Sequence, residues 1–101
     1  MLKAVFFKQG DGFSGFSFSG HAGYSTAGND IVCAAVTSAV ELTCNTITEF
    51  FGAADTVEVL ENEVKLTLKD ESVPARQLIA SLHAHIAYIA QEHRKIKLET
   101  K

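Results

Sequence analysis

Apolar residues along this chain keep a period of two, then about 3.6, then two, then 3.6 again, and that alternation narrows its fold more than any other feature. Leu2 to Lys8 is rich in Val and Phe and reads as a strand. Gln9-Gly10-Asp11-Gly12 supplies a turn, and Phe13 to Ser19 returns with Phe16 and Phe18 on one face. Ile31 to Phe51 then reads as a helix, with Val32, Val36, Ala39, Val40, Ile47 and Phe50 on one side. Ser38, Glu41, Asn45 and Glu49 fall on the other side. Asp30 is placed as the N-cap and Gly52 as the stop.

The pattern then repeats. Thr56 to Glu61 and Glu63 to Lys69 form a second hairpin, whose return strand sets Val64, Leu66 and Leu68 against Lys65, Thr67 and Lys69. Pro74 opens a second helix that ends near Arg94, with an apolar stripe including Ala75, Leu78, Ile79, Leu82, Ile86 and Ile89. Ile96 and Leu98 fit either a short edge strand or a frayed tail. The order β-β-α-β-β-α predicts an α+β two-layer sandwich, two helices against a mostly antiparallel sheet. At 101 residues this is a single domain, 1–101. Val5 and Phe7 share the strand face opposite Leu2, Ala4 and Phe6, so the second sheet face is expected to be covered, by a second subunit.

Composition excludes some functions. A net charge of −3 leaves no basic footprint for nucleic acid. The apolar stretch at the N-terminus is broken by Lys3 and Lys8 and is too short for a signal-peptide core. No uninterrupted apolar run approaches the roughly 20 residues of a membrane span. A cytoplasmic protein is expected, with Cys33 and Cys44 as thiols.

The unusual chemistry is concentrated between Gly20 and Thr37. From Gly20 to Asp30 the residues are small and polar, a loop near the upper length that compact domains use without a functional reason. Cys33 follows in the first turn of the first helix, where backbone N–H groups lack intrahelical partners and the helix dipole favours thiolate over thiol. It lies about 80° from the centre of the apolar stripe, at the border of core and solvent. His21 ends the second strand, a rigid mount for an imidazole that can act as base toward a thiol. Asp30 can orient that imidazole or cap the helix, but as a carboxylate beside Cys33 it also opposes thiolate formation. On chemistry alone the plainer reading competes: a helix cysteine packed as a small hydrophobe and an ordinary histidine near a turn.

The block Gly20-His21-Ala22, followed by Gly28-Asn29-Asp30-Ile31-Val32-Cys33-Ala34-Ala35-Val36, resembles the signature of the ribosomal-processing cysteine protease (Prp) family. Length and element order resemble the family over the whole chain. The resemblance implies that Cys33 and His21 are a catalytic dyad, that Asp30 is a helper, and that the chain is a homodimer. It implies a substrate that is the precursor of a large-subunit ribosomal protein, whose short N-terminal extension is removed by a cut after an aromatic residue. One turn after the nucleophile the family often has Ser; here Thr37 keeps the hydroxyl and adds a methyl. The loop from Ala22 to Asn29, with Gly23, Tyr24 and Gly28, is a candidate substrate lid. Tyr24 and the hairpin phenylalanines are candidates to receive the substrate aromatic, against their commoner role as core.

No cofactor or metal is expected. His83, His85 and His93 share the second helix, but no two are three or four residues apart. Cys44 lies about 16 Å along the helix from Cys33, too far for a disulfide, and reads as packing. The same distance deprives a redox-sensing thiol of a resolving cysteine. The competing functional reading is a non-catalytic, homodimeric peptide-binding module associated with ribosome assembly.

Overall fold

Each hairpin pairs as its alternation dictates. The computed structural model describes residues 2–20, 31–69 and 72–101. In these, β1 (Leu2–Gln9) turns through Gly10 into β2 (Gly12–Gly20), and β3 (Ala54–Leu60) turns into β4 (Glu63–Leu68). Gly10 takes φ +61°, the left-handed backbone that a two-residue hairpin turn requires. The helices are α1 (Ile31–Asn45), prolonged by one π-helical turn over Thr46–Phe50, and α2 (Val73–Glu92). The tail forms β5 (Ile96–Thr100).

The strands lie in the order β3-β4-β2-β1-β5. Every neighbouring pair is antiparallel except β1 and β5, which run parallel. The molecule is therefore an α+β fold with a mixed five-stranded sheet. The tail is a strand and not a frayed end: Leu2 N–H donates to the Lys95 carbonyl at 2.8 Å, and Lys8 N–H to the Lys101 carbonyl at 2.7 Å.

Both helices pack on the same face of the sheet. Leu2, Ala4, Phe6, Phe16, Phe18 and Leu66 form the strand side of the core. Val32, Val36, Val40 and Ile47 cover them from α1, and Ala75, Ile79, Leu82 and Ile86 from α2. Ser72 caps α2, its Oγ accepting from the Ala75 N–H at 3.4 Å, and Pro74 sits in the first turn, where a missing N–H costs nothing. Gly52 stops α1 at φ +59° as expected. Phe50 departs from expectation: it is 81% exposed. The last turn of the helix is π-type, with Phe51 N–H donating to the Thr46 carbonyl at 3.0 Å. That wider turn breaks the 3.6 period and swings Phe50 off the buried stripe.

On the opposite sheet face the strands' own side chains pack on one another. Val5 is only 7% exposed in the single copy, and the Lys65 ammonium lies 5.8 Å from the centre of the Phe7 ring. Beside them Glu99 takes Lys97 at 3.3 Å and Lys3 at 3.7 Å. The hydrogen bond from Lys97, aided by the positive charge of Lys3, Lys97 and Lys101, holds the Glu99 carboxyl below its ordinary range. Val5 is thus buried within the single copy, while Phe7 stays half-buried.

Reading uninterrupted apolar runs also understated α1. Ile31–Phe50 is 20 residues long, has a stretch with a mean hydropathy of 1.4, and is long and apolar enough to cross a membrane. In the fold its apolar stripe is spent on the sheet, where Val32, Val36, Val40 and Ile47 are buried.

Candidate active site

Between α1 and the β3–β4 hairpin runs a cavity of about 480 Å³, inside the range of sites that bind small molecules and peptides. Its floor is apolar, with Leu2 and Phe18 from the sheet and Val36 and Val40 from the helix. Val57, Val59 and Leu60 of the edge strand β3 form the far wall. These three remain 38%, 73% and 58% exposed, because α1 ends its contact with the sheet before it reaches β3.

The helix side of the cavity is a single stripe. Cys33, Thr37, Val40, Cys44 and Thr48 line it at the spacing that puts residues on one helix face. Cys33 is the third residue of α1 and half-buried, as the wheel position requires. Thr37 stands one turn further along the same stripe, exposed at the cavity. Gly20, the last residue of β2, lines the same cavity, and its N–H is tied to the Asn62 carbonyl of the β3–β4 turn at 3.0 Å. The end of β2 and the start of α1 therefore open on one space. His21, Ala22, Gly23, Tyr24, Gly28, Asn29 and Asp30 lie outside the described residues.

The two cysteines share this cavity and differ in environment. Cys44 is buried at its floor; burial, reinforced by the nearby charge of Glu41, pushes its thiol up to about 11. It is a protonated packing residue at neutral pH, as its position had implied. The two thiols form no disulfide.

Of the described hairpin phenylalanines only Phe18 reaches the cavity. Phe16 is fully buried, and Phe13 stacks on the His83 ring with centroids 5.2 Å apart. His83, half-buried, also meets Phe6 edge-on at 4.9 Å, a packing role that helix spacing alone did not suggest. His93 is the C-cap of α2. Among the described residues no cluster of His, Cys, Asp or Glu can hold a metal ion.

The sequence profile of a family described as Cysteine protease Prp matches residues 1–97. No curated protein matches the chain by sequence. Among solved structures, an essential ribosomal processing protease Prp from S. aureus, in complex with a covalently linked product peptide, superposes with a TM-score of 0.90 at 18% identity, covering 100% of both chains. The same protease with a substrate peptide gives 0.87 at 17% identity, again over both whole chains. The protein SMU.848 from Streptococcus mutans gives 0.79 at 21% identity, over 100% of this chain and 96% of that one. At such identities the likeness concerns the fold, which is shared from end to end; the profile match adds the family. The chain belongs to the family of the cysteine protease Prp.

Proposed function

We propose that the chain is a cysteine endopeptidase that removes the short N-terminal extension of a large-subunit ribosomal protein, cutting after an aromatic residue. The observation that carries this reading is the shared cavity: Cys33 in the first turn of α1 and Gly20, the residue before His21, line the same peptide-sized space. The family match and the peptide-bound S. aureus protease support it.

In this reading the Cys33 thiolate attacks the scissile carbonyl, and His21 takes up the thiol proton and delivers it to the leaving amine. Water then hydrolyses the thioester. Backbone N–H groups at the N-terminus of α1 are the natural oxyanion donors in this reading. Asp30 orients His21, and Thr37 offers a hydroxyl one turn along the cavity wall. The Ala22–Asn29 loop closes over an extended substrate, with Tyr24 against its aromatic side chain. A homodimer in the cytoplasm completes the proposal; the exposed Phe50, outside the cavity, is apolar surface that a second copy can cover, and sedimentation equilibrium tests it.

The test is trimming of a peptide that copies such an extension, followed by mass spectrometry. Wild type is expected to give one cut after an aromatic residue, and Cys33→Ser and His21→Ala to give none while remaining folded by circular dichroism. Trimming by Cys33→Ser at the wild-type rate would sink the protease reading. Tight binding of the peptide by wild type without any cut would point to a non-catalytic binding module instead.

A further inference from the structure

The charged residues of the cavity are of one sign. Glu41, Glu61 and Glu63 are among its lining residues, and no Lys or Arg is found there among the described residues. Strand alternation turns Glu63 toward the opposite sheet face, since its neighbour Val64 pairs with Phe18 on the core side. That leaves Glu61 at the β3–β4 turn and Glu41 on the helix rim. Glu41 stands one turn before Cys44 on the helix side of the cavity, among its lining residues. It is exposed, and the ion pairs among the described residues centre on Glu99 and leave Glu41 unmatched.

Length gives the second constraint. The helix stripe from Cys33 to Thr48 spans about 22 Å at 1.5 Å per residue. An extended peptide covers that span with six or seven residues at about 3.3 Å each. Glu41 stands eight positions after Cys33, about 12 Å along the same wall. That corresponds to three or four residues of an extended chain measured from the bond held at Cys33.

We propose that Glu41 is a specificity-determining residue that selects substrates carrying a Lys or Arg three or four residues from the scissile bond. The occupant of the cavity is then an extended segment with apolar side chains for Val57 and Val59, which pair with Leu66 and Val64 on the core side, and a cation for the helix rim. This deepens the protease reading and rests on it for the position of the scissile bond. A second copy of the chain is a poorer occupant, because β3 and its turn carry Asp55, Glu58 and Glu61 and would meet their own like charges.

The experiment scans a single Lys along an otherwise uncharged peptide containing the aromatic cleavage site. Wild type is expected to favour the peptide with Lys three or four residues from the cut by about two- to fivefold in KM, with kcat little changed. The preference falls as salt is raised from 50 to 500 mM. Glu41→Gln removes the preference and Glu41→Lys transfers it to a peptide with Glu at that position, whereas Glu49→Gln, away from the cavity, keeps it. Equal KM for the Lys and Gln peptides in both wild type and Glu41→Gln overturns the proposal. Binding of the same peptides to Cys33→Ala, read by fluorescence anisotropy, separates the two readings. A charge preference there without turnover in wild type refutes the protease and keeps the Glu41 site; turnover in wild type with no charge preference does the reverse.

Discussion

Cys33 and Cys44 sit on one stripe of one helix and show how position along an element sets the chemistry of a side chain. Cys33 is in the first turn of α1 and half-buried; Cys44 is at the cavity floor, where burial and Glu41 hold the thiol near 11. Iodoacetamide at pH 7.5 is therefore expected to label Cys33 at least tenfold faster than Cys44, read by peptide mapping. Equal labelling would contradict the assignment of Cys44 as a buried thiol. The same shift has a stability consequence. The folded state keeps the Cys44 proton above pH 9, where an unfolded chain loses it, so this thiol favours the fold below pH 9 and that contribution is lost as pH rises toward 11. Replacing Cys44 with Ala should flatten the fall in urea midpoint between pH 9 and 11 relative to wild type. Gly15 illustrates a different constraint: a Cβ there would run into the Leu66 carbonyl of the neighbouring strand. Gly15→Ala is expected to cost about 1–3 kcal/mol in urea unfolding, since the obstacle is backbone and cannot rotate aside.

The elements were legible to the extent that their own residues decide them. Alternation in Val64–Lys69 and the helix start at Pro74 are local signals, and β4 and α2 form where those signals lie. Ser72→Ala should lower stability by about 1 kcal/mol through loss of the Ala75 N–H acceptor. An unchanged denaturation midpoint would show that another group satisfies that donor. Phe50 was misassigned to the buried stripe because a 3.6-residue wheel cannot anticipate the π turn over Thr46–Phe50. The side chains of Thr46 and Thr48 donate to the carbonyls of Leu42 and Cys44, both at 2.8 Å, in that same stretch. Such back-bonding is a known companion of bent helix ends.

At the scale of the molecule, sheet order decides what each element is for. β5 pairs in parallel with β1 and closes one edge of the sheet, so removing residues 95–101 is expected to expose the β1 edge and Leu2. The truncated chain should aggregate on heating at a temperature well below wild type, as followed by light scattering; an unchanged onset would mean that β5 adds little. The other edge, β3, stays open because α1 does not extend over it, and the cavity exists for that reason. By itself the sequence determined the two hairpins, the two helices, the layer order and the place of Cys33 at a helix start, since each rests on residues close together in the chain. The His21–Cys33 block carried the family resemblance for the same reason. Only the tertiary structure decided that Thr37, Glu41 and Cys44 share one cavity with the end of β2, that Val5 is buried within the single copy, and that the His83 ring packs on Phe6 and Phe13. Those facts depend on contacts between strands and helices far apart in sequence, and no local period or propensity encodes which face of one element meets which face of another.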